Sequence, residues 1–264
     1  MITSSSNPRV KQVVQWQTSA RERHRAGVFV TEGFKLFQEA PAECLQEVYI
    51  SREVLDREPG SSKLWEKLEQ TGYETVSEEV FRRMSDTQTP QGILCVARQP
   101  VYRLKQLLQA SHPLLTVLED LQDPGNLGTI FRTGEGAGVT GIIMSRGTVD
   151  LFNPKTIRAT MGSIFRVPFI YVEELREAVG RMQAAGIRVY AAHLAGEKYY
   201  DEFDYKTAAA FLIGNEGRGL RQETAEAADE YLKIPMEGKV ESLNAGVAAA
   251  LLTYEARRQR RRQT

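Results

Sequence analysis

Short apolar runs alternate with helix-length amphipathic segments from residue 114 to the end of the chain. Apolar runs bounded by turn residues predict buried strands, and apolar residues spaced three or four apart predict helices. Strands separated by helix-length segments are typical of a parallel sheet with crossover helices. The pattern therefore predicts an α/β fold. The predicted strands are 114–119, 140–145, 167–171, 187–192, 209–214 and 231–234, and the predicted helices are 126–138, 153–159, 173–185, 219–227 and 242–260.

The first hundred residues carry shorter elements and indicate a second, smaller α/β unit. Helical spacing runs over residues 7–23, and VFVTEG (28–33) reads as a strand that ends in a turn. SDTQTPQG (85–92) is typical of an exposed polar turn. We predict domains at 1–100 and 113–264, joined by a linker at 101–112. The other predicted elements are helices at 34–40, 63–71 and 78–84 and strands at 47–51, 73–77 and 92–98.

Composition is that of an ordinary globular protein, with 42% apolar and 26% charged residues. No apolar run is long enough to cross a membrane, and the first residues lack the apolar region of a signal peptide. Cys44 and Cys95 lie in apolar surroundings without metal-binding spacing. We therefore expect reduced thiols in a cytoplasmic protein, without a disulfide.

Charge is unevenly distributed, although the formal net charge is zero. Residues 1–25 and residues 255–264 each carry a formal charge of +4, so the rest of the chain is acidic. Basic ends suggest local contact with a polyanion. For the tail, a solvated helix end explains the arginines equally well, because cations are favourable there.

Three stretches rich in glycine and asparagine each follow an apolar run, at 114–139, 209–220 and 232–258. Open α/β sheets build ligand sites where strands end, so three such stretches predict one composite site. The first contains DPGNLGTIFRTGEGAG, in which Asn126 suits a helix N-cap and Arg132 could reach an anion. Its glycines are best explained by tight packing of the helix.

The second and third stretches each admit a structural and a functional interpretation. In LIGNEGRGL, Glu216 is hemmed in by glycines, which suits either the orienting of a ligand or a solvent-exposed turn. Ser242 and Asn244 precede a long alanine-rich helix, where either could simply cap it. The small residues of that helix could let another backbone lie close. No phosphate-binding loop, nucleophile elbow or Cys/His metal spacing is present, so we predict no metal site.

These stretches resemble the motifs of the SpoU (TrmH-like) family of RNA ribose 2′-O-methyltransferases, within the knotted SPOUT superfamily. The matching residues are DPGNLGTIFRTGEGAG, LIGNEGRGL and IPMEGKVESLNAGVAAALLTYE. SNPRVK, VTEGFKLFQEA and SDTQTPQGIL also resemble the ribosomal-protein L30e-like RNA-binding domain of that family. The resemblance is greatest to the branch that acts on 23S ribosomal RNA.

The resemblance implies a deep trefoil knot in a carboxyl-terminal SPOUT methyltransferase domain, an RNA substrate-binding domain at 1–100, and a homodimer formed through the knotted domain. It implies S-adenosylmethionine as methyl donor, RNA as substrate, and neither membrane nor metal. The implied catalytic residues are Asn126, Arg132, Glu216, Ser242 and Asn244. The implied cofactor-binding residues are Leu194, Gly214, Asn215, Ile234, Met236 and Leu243. The expected RNA contacts are Arg9, Lys11, Arg23, Arg25 and Arg132.

The implied reaction is attack of a ribose 2′-oxygen on the methyl group of the sulfonium. The family mechanism gives Arg132 the role of base, but a guanidinium stays protonated in proteins. Our hypothesis is that Arg132 binds the adjacent phosphate and stabilises the developing alkoxide, while Glu216 and Asn126 position the groups. The alternatives are a tRNA ribose methyltransferase, a base methyltransferase on the same scaffold, and a catalytically idle RNA-binding assembly factor.

Overall fold

The computed structural model describes residues 1–57 and 63–261 and divides the chain into two units. The first unit comprises residues 1–100 and 150–165, and the second comprises residues 101–149 and 166–264. The helices are α1 (Pro8–Thr18), α2 (Ala20–Ala26), α3 (Phe34–Glu39), α4 (Arg52–Arg57), α5 (Lys63–Thr71), α6 (Glu78–Met84), α7 (Leu104–Leu108), α8 (Pro124–Ala137), α9 (Pro154–Thr160), α10 (Leu175–Ala184), α11 (Gln222–Glu226) and α12 (Ala245–Arg261). The strands are β1 (Val28–Glu32), β2 (Leu45–Ser51), β3 (Glu74–Val76), β4 (Ile93–Arg98), β5 (Leu114–Leu118), β6 (Gly141–Ser145), β7 (Phe169–Val172), β8 (Arg188–Ala192), β9 (Lys198–Tyr199), β10 (Ala209–Ile213) and β11 (Glu230–Lys233).

The first unit is built on a four-stranded mixed sheet in the order β1-β4-β2-β3. β4 pairs antiparallel with both of its neighbours, and β2 pairs parallel with β3. The helix predicted over residues 7–23 is two helices, because the Ser19 hydroxyl accepts from the backbone N–H of Glu22 and starts α2 there. The pattern also missed the short α4.

Residues 150–165 belong to the first unit, although they lie within the predicted domain 113–264. Their helix α9 packs on β1. The buried Phe29 ring lies 5.0 Å from the ring of Phe152 and 5.9 Å from that of Phe165. The sequence pattern could not show this, because the periodicity of a helix does not say which sheet it covers.

Arg23 corrects one of the predicted RNA contacts. Its side chain is only 4% exposed, and it donates to the carbonyls of Trp16 and Gln17 and to the Asp150 carboxylate at 2.6 Å. A buried guanidinium that donates through both of its terminal nitrogens in this way ties α1, α2 and the 150–165 segment together within the first unit. It is not available to a phosphate.

The second unit contains a seven-stranded sheet in the order β7-β6-β5-β10-β8-β11-β9. Each of its six described pairings is parallel, as the alternation of strands and helices predicted. The six predicted strands begin and end within two residues of the observed ones. The predicted linker contains the short helix α7, whose buried Leu107 joins the core of this unit.

The glycines of α8 serve close packing, as the sequence suggested. A side chain at Gly136 would lie 2.6 Å from the Tyr254 hydroxyl of α12. At the other end of this contact, a side chain at Gly246 would lie 3.3 Å from Thr129. In the described part of the chain, no helix combines the length and apolar character that a membrane span requires.

Candidate active site

The three glycine- and asparagine-rich stretches follow β5, β10 and β11, parallel strands of one sheet, and therefore lie along one edge of it. The stretch after β5 lies beside the stretch after β10, since Leu118 pairs with Ile213. β10 in turn pairs with β8, and β8 with β11, in matching register. The carboxyl ends of β5, β10, β8 and β11 thus form one continuous edge, where parallel α/β sheets place ligands.

The turn after β10 requires glycine at its first position. A side chain at Gly214 would lie 2.1 Å from the backbone of Gly219, and Gly219 itself has a φ of +69°. Asn215 holds the turn together, since its side-chain oxygen accepts from the N–H groups of Gly217 and Arg218. Its amide nitrogen donates to the Asp120 carbonyl at 2.7 Å, which fastens the turn to the end of β5.

A chain of hydrogen bonds joins all three stretches. The Asn126 amide nitrogen donates to Glu216 Oε1 at 3.0 Å. The Asn244 amide nitrogen donates to Asn126 Oδ1 at 2.8 Å. Hydrogen bonds therefore join three of the five predicted catalytic residues directly, although these residues are up to 118 positions apart in the chain.

Glu216 is held as a carboxylate by its donors. Burial by itself acts to raise the pKa of Glu216, but hydrogen bonds from the Asn126 amide and the backbone N–H groups of Asp123 and Gln122 outweigh it, so the pKa is lowered. A carboxylate with a lowered pKa and occupied oxygens is a poor proton acceptor. Glu216 is thus suited to positioning rather than to general base catalysis.

The cap of α8 differs from the sequence interpretation, whereas Asn244 caps α12, which was one of the two predicted possibilities. Asp123, not Asn126, caps α8, because its carboxylate accepts from the Asn126 backbone N–H at 2.7 Å. Asn126 lies inside the helix, which frees its side chain for the hydrogen-bond chain. Asn244 both caps α12, through Gly246 and Val247, and reaches Asn126. Ser242 is exposed and makes no hydrogen bond to the described residues.

Arg132 lies on α8, between one and two turns beyond Asn126. Its side chain is exposed and makes no hydrogen bond or ion pair with the residues that the structure describes. Its guanidinium is thus free to bind an external anion, as the sequence suggested.

The acidic residues directly after β5 also belong to this site, although no predicted motif included them. Glu119 is 1% exposed and accepts from the Arg221 backbone N–H at 2.6 Å and from the Thr224 hydroxyl. Arg221 also forms ion pairs with Glu119 and Asp120. These contacts hold the residues after the 214–219 turn against the end of β5. The run of acidic residues after a buried strand was the available signal.

The predicted cofactor-binding residues lie along the same edge. Leu194 follows β8 and is 67% exposed, which is unusual for a leucine beside a cluster of polar turns. The half-buried Ile234, Met236 and Leu243 follow β11. Together with the Gly214 turn, these residues place apolar side chains and glycine at the strand ends of this edge. The Asn215 side chain is engaged by Gly217, Arg218 and the Asp120 carbonyl, and its backbone N–H and carbonyl both pair with Gly219, so Asn215 shapes the turn rather than offering a free group to a ligand.

The predicted RNA contacts in the first unit, apart from Arg23, lie on its surface. Lys11 is exposed and unpaired among the described residues. Arg9 is 64% exposed and lies 3.7 Å from Glu74, while Arg25 forms an exposed pair with Glu22. Such exposed pairs are weak and break readily when a phosphate competes.

The arginine tail is partly structural. Arg260 donates to the backbone carbonyls of His112, Pro113, Tyr205 and Thr207, and burial lowers its pKa. It therefore fixes the end of α12 to the start of the sheet. Arg258 pairs with Glu255, Arg257 is exposed, and Arg262 lies outside the described residues. Within residues 1–57 and 63–261, no group of three or more His, Cys, Asp or Glu side chains could hold a metal ion.

Family models match both parts of the chain. Residues 113–254 match the model described as the SpoU rRNA Methylase family, and residues 7–95 match the MRM3-like substrate binding domain.

Named proteins and solved structures match nearly the whole chain. The 23S rRNA (guanosine(2553)-2′-O)-methyltransferase RlmP of Bacillus subtilis is 34% identical over 258 residues, covering 97% of this chain and 98% of its own. An AdoMet-bound rRNA methyltransferase from Sinorhizobium meliloti is 31% identical, with a TM-score of 0.83 and 97% of each chain covered. The SpoU methyltransferase AviRb from Streptomyces viridochromogenes, in complex with AdoMet, is 26% identical with a TM-score of 0.83, covering 97% of this chain and 100% of its own.

Proposed function

The chain belongs to the SpoU rRNA methylase family, and from this premise we propose that it transfers a methyl group from S-adenosylmethionine (AdoMet) to a ribose 2′-hydroxyl of 23S ribosomal RNA. The observation that carries the proposal is the hydrogen-bond chain Glu216–Asn126–Asn244, with the unpaired Arg132 on the same helix. It joins the three family motifs in one place and leaves one cation available for the substrate.

The methyl donor is supported by the relatives and by the character of the strand-end residues. The Sinorhizobium meliloti and AviRb structures hold AdoMet. In this chain, Leu194, Ile234, Met236 and Leu243 are suited to the adenine ring, and the Gly214–Gly219 turn offers backbone groups. When bound, AdoMet supplies a methyl group activated by its sulfonium charge.

The side chains divide the remaining work between binding and positioning. Arg132 binds the phosphate next to the target ribose and stabilises negative charge that develops on the 2′-oxygen. Glu216 and Asn126 fix the start of α8, the helix that carries Arg132. Asn244 and Ser242 order the loop before α12. The general base is not among these groups, since Glu216 is engaged and Arg132 stays protonated.

Two further properties follow from family membership as proposals. The carboxyl-terminal unit carries the deep trefoil knot, and the amino-terminal unit has a ribosomal-protein-like fold that binds RNA. The matching substrate-binding model over residues 7–95 and the exposed Arg9, Lys11 and Arg25 support the second of these.

We also propose a homodimer through α12, although not through its small residues. Ala245, Gly246 and Ala249 are buried within the chain itself, against α8 and the sheet. A second face exposes Val247 and Leu251, and Tyr254, whose hydroxyl packs on Gly136 of α8, borders it at helical spacing. Leu251→Asp is expected to convert a dimer into a monomer in analytical ultracentrifugation. An unchanged sedimentation coefficient would reject this interface.

The function is tested by mapping ribose methylation in ribosomal and transfer RNA from cells with and without the gene. We expect the loss of one 2′-O-methyl position in 23S RNA. Unchanged methylation would contradict the proposal, and loss in transfer RNA alone would identify the tRNA alternative. Calorimetry with AdoMet tests the alternative of an idle assembly factor, because a methyltransferase must bind AdoMet and an idle relative need not.

A further inference from the structure

The polar segment 85–91, called here the 85–91 loop, is held in shape by a carboxylate from another strand. Glu32, at the end of β1, accepts hydrogen bonds at 2.7 Å from the hydroxyls of Ser85 and Thr87 and at 3.2 Å from the Asp86 backbone N–H. Because β1 pairs antiparallel with β4, the end of β1 lies beside the segment that leads into β4. One carboxylate thus fixes three consecutive residues.

The 85–91 loop returns a contact to the segment that holds it. The Gln91 side-chain oxygen accepts from the Phe34 backbone N–H at 3.0 Å. Gly33 has a φ of +106°, a backbone conformation that favours glycine, and this places the Phe34 N–H beside the same oxygen. VTEG and SDTQTPQG, which lie far apart in the chain, therefore form one reciprocal clamp.

Inside this clamp, Gln88 and Thr89 remain exposed and make no hydrogen bond to any described residue. Rigid backbone beneath unengaged amide and hydroxyl groups suits recognition of another molecule, because little ordering is needed on binding. Amides and hydroxyls can pair with the edges of unstacked bases.

The charges around the 85–91 loop favour an anionic partner. Its own acidic residue, Asp86, is paired with Arg158 at 2.8 Å, and the Glu32 carboxylate is occupied by its donors. Arg82 and Arg83, in the last turn of α6 just before the loop, are exposed and unpaired among the described residues. Arg83 shares a groove of about 550 Å³ with Lys11.

We propose that the 85–91 loop reads single-stranded RNA through Gln88 and Thr89, beside the cations of α6, and that Glu32 is the residue that positions it. This rests on the proposed function, since the RNA is the methylation substrate. It assigns substrate affinity to a place in the first unit that differs from the arginines expected from sequence.

The test is steady-state methyl transfer to 23S RNA fragments by the full chain. Gln88→Ala/Thr89→Ala and, separately, Glu32→Gln are expected to raise the KM for RNA about tenfold, the loss of roughly one or two hydrogen bonds. The kcat and the Kd for AdoMet are expected to stay at the wild-type values. Glu43→Gln, an exposed carboxylate elsewhere in the first unit, is the matched control and should change nothing.

The double variant keeps the test decisive if Glu32→Gln unfolds, because its two side chains make no contact that the fold needs. An unchanged KM in the double variant overturns the inference, as does a fall in kcat with weakened AdoMet binding. If the wild type methylates no RNA, the proposed function fails. The Kd of the same variants for the RNA fragments, measured by fluorescence anisotropy, then still decides whether the loop binds RNA.

Discussion

In each unit a glutamate fixes a polar segment through several hydrogen bonds, but the two arrangements leave different groups free for a ligand. In the first unit, Glu32 takes its hydrogen bonds from three consecutive residues of one loop and leaves the neighbouring amide and hydroxyl side chains free. In the second unit, Glu216 receives two backbone N–H groups and the Asn126 amide from a segment about 90 positions away. That network continues to Asn244, and Arg132, on the same helix as Asn126, has an exposed guanidinium without a partner among the described residues.

The difference separates recognition from chemistry. A loop fixed at its base and open at its tip can form several modest contacts, each worth a few-fold in affinity. A hydrogen-bonded network that fixes the helix carrying an unpaired cation can hold that cation in place, which is how catalytic charge is positioned. Changes in the first unit should therefore act on the KM for RNA, and changes in the second on kcat.

The largest effect is expected at Arg132. Arg132→Ala should lower kcat about 100- to 1000-fold, the range found when one stabilising donor is removed from a developing anion. The Kd for AdoMet should not change. Arg132→Lys should recover only part of the rate, because an ammonium lacks the planar pair of donors. Single-turnover methylation measures these rates, and Arg176→Ala, at an exposed position of α10, is the control. A near wild-type rate of Arg132→Lys would show that the reaction does not need a guanidinium.

The next largest effect concerns residues 150–165, which belong to the first unit but lie in the sequence between two parts of the second. Phe152→Ala should lower the free energy of unfolding of the first unit by about 3 kcal/mol, because it removes a buried ring packed on Phe29. Urea unfolding checks it. Val101→Ala, at an 87% exposed position, is the control. Equal stability of Phe152→Ala and wild type would show that residues 150–165 do not support the first unit.

A smaller effect is expected at Glu216. Glu216→Gln replaces one acceptor with a donor that faces backbone N–H groups, which should lower kcat about tenfold while the KM for RNA stays unchanged. This is the opposite of the pattern expected for Glu32→Gln. Glu177→Gln, exposed on α10, is the matched control. A rise in KM alone would abolish the distinction between the two carboxylates.

The smallest effect is on pH dependence. Because the pKa of Glu216 is lowered below the ordinary value of 4.5, its contribution to stability is complete above that value and is lost as the pH falls through the lower folded value. Melting temperatures of wild type and Glu216→Gln should therefore differ at pH 7 and converge in strong acid. A difference that stays constant down to pH 3 would contradict the ionised network.

The sequence could predict what depends on local pattern. Six of the seven strands of the second unit, their parallel arrangement and the meeting of the three stretches follow from apolar periodicity and strand-end chemistry, whereas the two-residue β9 was not predicted. It could not predict that Asp123 rather than Asn126 caps α8, because both residues suit the cap. It could not show that Arg23 is buried, since basic residues look alike in a sequence until their partners are known. The Glu119–Arg221 pairing, 102 positions apart, likewise depends on the order of strands in the sheet.

The interlock of Glu32 with the 85–91 loop was hidden for the same reason. Both segments were recognisable as turns, but only the pairing of β1 with β4 brings them together. In each unit, the long-range hydrogen bonds of the glutamate could not be predicted from the local sequence pattern.

The central claim is methyl transfer to a ribose hydroxyl by the second unit. The most direct measurement is mass spectrometry of nucleosides from 23S RNA incubated with the purified chain and isotopically labelled AdoMet. We predict one labelled 2′-O-methylnucleoside, which disappears with Arg132→Ala and persists with Arg176→Ala. Label on a base, or no label on any nucleoside, would contradict the account.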